Sequence, residues 1–148
     1  MPDIREDEHM RKMKEPVRRE NLRFGIDIDG TITQAPRHFQ RLIDALMKTG
    51  NHVYIVTGRD ESRRTETELF LAGCGIRYDE MMMRPVDWAE TIPDYKVKIV
   101  REHDLHMLID DDEANCWAIQ LQTQALAAHM LPIPELPEEM VALLDGEM

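Results

Sequence analysis

The sequence has few cysteines, no long apolar run and no excess of positive charge, and each absence excludes a class of protein. Its two cysteines, Cys74 and Cys116, lie far apart and outside any CxxC or mixed His/Cys spacing. This excludes a disulfide framework and a structural zinc site. No stretch approaches the roughly 18 apolar residues of a membrane span, and the charged N-terminus has no apolar core of signal-peptide length. We therefore expect a cytoplasmic protein with no membrane partner.

The charge balance also narrows the choice of partners. The chain has 18 basic and 29 acidic residues, a net charge of −11. An acidic excess disfavours unaided binding to nucleic acid or to anionic membranes, whereas it suits chemistry that a bound cation assists. With 148 residues, 43% of them hydrophobic, the chain has room for one domain with a sizeable core.

Two kinds of apolar pattern alternate along the chain from residue 22 onward. Short apolar runs typical of buried strands are separated by segments with apolar residues at helical spacing. This alternation predicts an α/β fold, a three-layer α/β/α Rossmann-like parallel sheet with helices on both faces. We expect a charged arm over residues 1–21, the domain over 22–131, and a proline-rich segment with a short helix over 132–148.

The pattern also gives bounds for the individual elements. The predicted strands cover residues 22–27, 52–56, 76–83, 106–109 and 127–131. The predicted helices cover residues 39–47, 60–72, 94–102 and 114–121, and the last of them has an apolar face of Ala114, Trp117, Ala118 and Leu121.

Polar clusters follow three of the predicted strands at their carboxyl ends. Asp27 and Asp29 follow the first strand, residues 57–59 the second, and the acidic run 110–113 a later one. Ligands of parallel sheets bind beyond the carboxyl ends of the strands, so we expect the three clusters to converge. Gathered carboxylates repel one another strongly at low dielectric, and they therefore predict an oxygen-rich site for Mg²⁺. Taken alone, the run 110–113 is equally compatible with an acidic helix cap.

Four stretches carry a resemblance to a known family. DIDGT resembles the first motif of the haloacid dehalogenase-like (HAD) phosphohydrolases, VYIVTGR the second, a lysine before the last motif the third, and LIDDD the fourth. The resemblance covers Phe24 to about Leu121. It implies a HAD-like fold, phosphatase activity and Mg²⁺ as the cofactor.

The resemblance also assigns roles to single residues. It implies that Asp27 is the nucleophile that becomes a phospho-aspartate, and that Asp29 protonates the leaving oxygen. Asp27, the backbone carbonyl of Asp29 and a carboxylate of the fourth motif would bind the metal. Asp110 is our first choice for that carboxylate and Asp111 the second.

Two further motifs supply candidates for phosphate binding. Thr57 resembles the hydroxyl residue that holds the transferring phosphoryl oxygens, and Gly58 would let backbone N–H groups approach them. The stretch PDYKVK offers two lysines for the third motif, Lys96 and Lys98. We choose Lys98, because a V-K pair that opens an apolar helix is closer to the family's placement, and Lys96 stays the alternative.

The spacing of the motifs leaves no room for a cap domain of the kind that many HAD phosphatases carry. Residues 34–52 hold one helix, and residues 57–98 hold a helix, a strand and a loop. An uncapped site is open to bulky or polymeric phosphate esters. The chain is also similar, more loosely, to the 3′-phosphatase domain of phage-type polynucleotide kinases. This second resemblance implies that Arg59 and Arg84 contact substrate phosphates.

Three hypotheses for the function follow. The first is a Mg²⁺-dependent phosphatase of a nucleotide or a nucleic-acid end, and the second is a phosphatase of another small phosphorylated metabolite. The third is a HAD-like binding module without catalysis, for which residues 1–21 and the LPIPELPEEM segment would provide contacts. The oligomeric state stays open.

Overall fold

A five-stranded parallel sheet forms the centre of the protein. The computed structural model describes residues 21–134 and 137–146, so the predicted arm at 1–21 lies almost wholly outside the described residues. The strand order is β3-β2-β1-β4-β5. The strands are β1 (Arg23–Ile26), β2 (His52–Asp60), β3 (Glu80–Arg84), β4 (Met107–Asp110) and β5 (Leu126–His129). The helices are α1 (Pro36–Lys48), α2 (Arg64–Gly73), α3 (Ile92–Glu102), α4 (Glu113–Gln122) and α5 (Glu138–Gly146).

The sheet separates two apolar cores. One core joins the sheet to α1 and α2 through buried side chains that include Ile26, Ile43 and Leu71. The other core joins it to α3 and α4 through residues such as Val100 and Ile119. Helices thus cover both faces, and the expected α/β/α Rossmann-like architecture is confirmed.

Strand β2 extends further than the sequence pattern predicted, to Asp60 instead of residue 56. Its pairing with β3 shifts register between Thr57 and Asp60, so residues 58 and 59 form a bulge at the carboxyl end of the strand. Helix α2 begins at Arg64, after a 3₁₀ turn capped by the Asp60 side chain. This irregular stretch places the TGR motif at the rim of the sheet.

Strand β3 begins four residues later than predicted, because residues 76–79 form the connection between the end of helix α2 and the sheet. Ile76 N–H donates to the Leu71 carbonyl at 2.9 Å, and Gly75 adopts a φ of +68°. This geometry is typical of a helix terminated by a left-handed residue.

Helix α4 buries a different face from the predicted one. Asn115, Cys116 and Ile119 are its buried residues, whereas Trp117 is 57% and Leu121 76% exposed. The reason lies in the first turn, where polar contacts to Asp110 draw the face of Asn115 and Cys116 toward β4.

The chain beyond the sheet contains helix α5, which falls inside the segment predicted at 132–148. The division of the chain into arm, domain and tail stays a prediction. None of the described helices is long and apolar enough to cross a membrane.

Candidate active site

An open pocket of about 630 Å³ lies at the carboxyl edge of the sheet. Its walls come from the carboxyl ends of β2, β3 and β4, from the turns after β1, β2 and β4, and from the N-terminal parts of α3 and α4. The predicted clusters therefore do converge. Its lining includes Asp27, Asp29, Gly58, Arg59, Asp60, Arg63, Arg84, Ile92, Pro93, Lys96, Asp110, Asp111, Asp112, Ala114 and Asn115.

A buried lysine between two buried aspartates forms the base of the pocket. The Lys96 ammonium lies 2.7 Å from Asp27 Oδ1 and 2.5 Å from Asp110 Oδ2. The side chains of Lys96, Asp27 and Asp110 are only 2%, 8% and 0% exposed. Three ionisable groups at such depth are retained in a fold only when they neutralise one another or bind a further ion.

The burial shifts the pKa values of this cluster. Desolvation, with a smaller contribution from Asp110, raises the pKa of Asp27 to about 7 although Lys96 opposes the shift. Burial also acts to lower the pKa of Lys96, but the attraction of Asp27 and Asp110 outweighs it and the net shift is upward. Lys96 is therefore a permanent cation, whereas the charge of Asp27 depends on what else binds in the pocket.

A third carboxylate, that of Asp111 after β4, meets the turn after β1 beside the cluster. The buried Thr31 hydroxyl lies 3.4 Å from Asp27 Oδ2 and 3.2 Å from Asp111 Oδ1. Gly30 has a φ of +83°, and a Cβ atom there would overlap the Asp111 carboxylate. Glycine is therefore needed at residue 30 both for the backbone conformation and for the approach of Asp111.

These three carboxylates fit a hard divalent cation. Asp27, Asp110 and Asp111 each offer an oxygen, and the three oxygens lie within 4.8 Å of one another. An all-oxygen donor set open to solvent on one side suits Mg²⁺, which keeps several waters when bound to proteins. The Asn115 amide donates to Asp110 Oδ2 at 3.2 Å, and the Asp112 N–H donates to Asp110 Oδ1 at 2.9 Å, which fixes that carboxylate.

Asp29 lies apart from this cluster and is paired with Arg59. The guanidinium donates two hydrogen bonds to the carboxylate, from Nε at 2.8 Å and from a terminal nitrogen at 2.7 Å. Arg59 is itself held by Thr67, at 3.2 Å, and by the ring of Phe70. The hydrogen bonds from Arg59 lower the pKa of Asp29, so Asp29 is an anion in this arrangement.

The remaining predicted phosphate ligands lie in the carboxyl-terminal parts of β2 and β3. Thr57 is fully buried, and its hydroxyl accepts the backbone N–H of Arg59 at 3.0 Å, so it supports the bulge beneath the pocket wall. Gly58 and Arg84 line the pocket. Arg84 Nε donates to the Gly58 carbonyl at 2.9 Å, which anchors the guanidinium at the rim.

The structure does not bring Lys98, our choice for the third motif, to the pocket. Lys98 is 49% exposed, pairs with Glu102 at 3.7 Å and lies over the ring of Trp88. Helical residues two positions apart point about 200° away from each other, so only one of the two lysines can face the pocket. Lys96, the alternative, is the lysine that contacts Asp27.

Two buried residues of the site were missed at the sequence level, Thr31 and Asn115. Thr31 is part of the quoted DIDGT stretch and lies four positions after Asp27. Asn115 lies in the first turn of α4, five positions after Asp110. A polar residue in a helical turn that directly follows a predicted metal ligand was the signal that could have identified Asn115.

Comparison with known proteins gives matches in structure and none in sequence. The sequence matches no protein-family model and no curated protein. The chain superposes on a chain of the Pnkp1/Rnl/Hen1 RNA repair complex with a TM-score of 0.69 and 17% identity, covering 81% of this chain and 46% of that chain. A further structure of the Pnkp1/Rnl/Hen1 complex gives a TM-score of 0.65 and 18% identity, covering 82% of this chain and 50% of that chain.

This chain therefore spans about half the length of the solved chains that it matches. A likeness at this level of identity establishes the fold. The predicted α/β fold is confirmed at that level.

Proposed function

We propose that this chain is a Mg²⁺-dependent phosphatase of the HAD type, which works through a phospho-aspartate on Asp27 and acts on the terminal phosphate of a nucleotide or nucleic acid. The contact of Asp27 with the buried Lys96 ammonium, at the base of an open pocket, carries the proposal. A carboxylate can attack an anionic phosphate only if nearby cations offset the repulsion. Lys96 supplies one such cation at the nucleophile itself.

The reaction divides into two transfers. In the first, an Asp27 oxygen forms a bond to phosphorus while the bond from phosphorus to the leaving oxygen breaks, and the Asp29 carboxyl gives that oxygen a proton. In the second, Asp29 accepts a proton from a water molecule whose oxygen attacks phosphorus. Inorganic phosphate leaves, and the Asp27 carboxylate is restored.

Asp29 has to leave Arg59 before it can carry a proton. As long as the guanidinium makes two hydrogen bonds to it, the carboxylate is held in its ionised form. A phosphate oxygen of the substrate offers Arg59 an equivalent acceptor. Substrate binding would then release Asp29, which would take up a proton from the monoanionic phosphate of the substrate or from solvent water and give it to the leaving oxygen.

Asp27, Asp110 and Asp111 would hold the metal, together with the backbone carbonyl of Asp29 that the family resemblance implies. When bound, Mg²⁺ would supply the charge neutralisation that two approaching anions require. Thr31 and Asn115 keep the carboxylates in place whether or not a metal is bound, since both contact them through buried hydrogen bonds or close polar contacts.

Two features support a nucleotide or nucleic-acid end as the substrate. Among the described residues, no cap domain covers the pocket. Arg59, Arg63 and Arg84 line its wall, so cations outside the reaction centre can bind a second phosphate of the substrate. The structural neighbours belong to an RNA repair complex, which is compatible with the same substrate class. The acidic net charge argues for recognition of a chain end instead of a long duplex surface.

The test is phosphate release by the purified chain and by Asp27→Asn. The panel contains nucleoside monophosphates, 3′- and 5′-phosphorylated oligonucleotides and sugar phosphates, each with and without Mg²⁺. We expect Mg²⁺-dependent release from the nucleotides and loss of turnover in Asp27→Asn, because an amide cannot form the acyl phosphate. Asp44→Asn is the matched control, since Asp44 pairs with Arg77 on the surface.

Acid quench during turnover should leave a phosphorylated peptide that contains Asp27, detectable by mass spectrometry. Residual activity in Asp27→Asn near the wild-type rate would exclude the covalent mechanism. Release from sugar phosphates alone would move the function to a small metabolite, and no release from any substrate would favour the binding module.

A further inference from the structure

The pocket has one bulky apolar wall in an otherwise polar lining, and nothing in the proposed chemistry uses it. Ile92 and Pro93, the first two residues of α3, form this wall. Ile92 is 41% exposed, although large aliphatic side chains are normally buried. An apolar group beside charged residues at a pocket is a common feature of sites for ligands with an apolar portion.

The wall has a fixed position relative to the reaction centre. Ile92 and Pro93 precede Lys96 by four and three residues, so they lie on the same face of α3, one turn nearer its N-terminus. Neighbours at this spacing have Cβ atoms about 5–6 Å apart. The wall therefore flanks the place of the group attached to a phosphate held at Lys96.

The wall is also rigid, as a binding surface has to be. Thr91 caps α3, with its hydroxyl accepting the Asp94 N–H while the Asp94 carboxylate accepts the Thr91 N–H. Pro93 restricts the backbone of the first turn further. The positions of Ile92 and Pro93 are thereby fixed before any ligand binds.

Gly58 lies between the apolar wall and the Arg84 guanidinium at the rim of the pocket. A Cβ atom at Gly58 would lie 3.2 Å from Ile92 carbon atoms, so the glycine backbone passes directly beside the wall. The carbonyl of the same residue accepts the hydrogen bond from Arg84. The apolar wall and the anchored guanidinium thus flank a single residue.

We propose that Ile92 and Pro93 form a subsite for the nucleoside portion of the substrate, with Arg84 binding the next phosphate along. This inference rests on the proposed function and deepens it. The phosphate would lie at Asp27 and Lys96, the sugar and base would pack against Ile92 and Pro93, and a second phosphate would reach the guanidinium. A substrate without a ring system would make no use of the wall.

The experiment compares Ile92→Ser with the wild type on three substrates: acetyl phosphate, thymidine 3′-monophosphate and thymidine 3′,5′-bisphosphate. We expect KM for both nucleotides to rise about tenfold, because the apolar contact of one aliphatic side chain is lost. Acetyl phosphate hydrolysis should keep its KM and kcat. Ile92→Leu should restore the nucleotide KM values, and Arg84→Gln should raise KM for the bisphosphate more than for the monophosphate.

Leu69→Ser is the matched control, because Leu69 is 70% exposed on α2 and does not line the pocket. Equal changes for acetyl phosphate and the nucleotides in Ile92→Ser would overturn the subsite, as would unchanged KM values for all three. If the wild type turns over acetyl phosphate and Asp27→Asn does not, the proposed phosphatase chemistry stands whatever the result at Ile92.

A binding measurement separates the two proposals if turnover is absent. Calorimetric titration with thymidine 3′,5′-bisphosphate should show binding that Ile92→Ser weakens about tenfold, while binding of inorganic phosphate stays unchanged. Such a result without any turnover would retain the subsite and overturn the phosphatase. No difference between Ile92→Ser and the wild type would overturn the subsite.

Discussion

Helix α3 carries two lysines, Lys96 and Lys98, whose ammonium groups lie in opposite environments. Lys96 is 2% exposed between two carboxylates, whereas Lys98 is 49% exposed and reaches a partly exposed Glu102. The two residues are of the same type, belong to the same helix and lie two positions apart in the sequence. Only the direction in which the helix presents them differs.

The difference shows that the role of a lysine is decided by its neighbours at helical spacing. The residues three and four positions from Lys96 are Ile92, Pro93, Ile99 and Val100, all apolar. Lys98 has Asp94, Arg101 and Glu102 among its corresponding neighbours, so it lies on a polar face. A lysine in the middle of an apolar stripe can be buried only when anionic groups pair with it. Asp27 and Asp110 are the anionic groups that pair with Lys96.

The largest expected effect follows from removing the buried cation. Lys96→Met leaves two buried carboxylates uncompensated, so we expect the free energy of unfolding at pH 8 to fall by about 3–5 kcal/mol and turnover to be lost. The loss of stability should shrink at pH 5.5. Burial raises the pKa of Asp27 to about 7 although Lys96 opposes the rise, so removal of Lys96 moves this pKa further above its value in the unfolded chain. Protonation of Asp27 at pH 5.5 then stabilises the folded variant more than the folded wild type.

Urea denaturation at both pH values measures this prediction, and Mg²⁺ should restore part of the lost stability because the carboxylates can bind it. Equal stability of Lys96→Met and the wild type at pH 8 would contradict the burial of a charged cluster.

The fold could be predicted from the sequence because the apolar patterns that specify its strands and helices are local in the sequence. Alternating apolar runs and helical stripes required a covered parallel sheet, and the polar ends of three strands had to meet. The position of Asp27 and Asp110 followed from that rule alone. Prediction of the buried face of α3 required one further step, a comparison of the neighbours of Lys96 and Lys98 at helical spacing. That signal was present in the sequence.

Other features depend on tertiary contacts that no local pattern contains. The pairing of Asp29 with Arg59 joins residues 30 positions apart through two side-chain conformations. The buried face of α4 differs from the most apolar one because Asp110 attracts Asn115 and Cys116. In both cases the arrangement depends on a polar contact between distant parts of the chain or between neighbouring elements.

A smaller effect is expected from the metal ligands, since the buried trio of Lys96, Asp27 and Asp110 carries one more carboxylate than cation. Asp110→Asn leaves a balanced pair of Asp27 and Lys96, so we expect nearly unchanged stability without metal. Mg²⁺ affinity should fall by at least about tenfold, because the negative charge of a ligand carboxylate is lost. Asp112→Asn is the control, because Asp112 caps α4 and asparagine caps a helix equally well. Calorimetric Mg²⁺ titration measures both, and a loss of affinity confined to Asp112→Asn would move the ligand to Asp112.

The smallest effect is expected at Lys98, and it completes the comparison with Lys96. Lys98→Met removes an exposed pair with Glu102 and a contact with the ring of Trp88, which together stabilise the fold by about 0.5–1 kcal/mol at most. The methionine chain still covers part of the ring, so the free energy of unfolding should change by no more than about 0.5 kcal/mol. The kcat and KM values should equal those of the wild type, since Lys98 does not line the pocket. Steady-state kinetics and urea denaturation of both lysine variants, under one set of conditions, measure the contrast. If Lys98→Met lost activity while Lys96→Met kept it, α3 would have to present its other face to Asp27, and the site described here would be wrong at its centre.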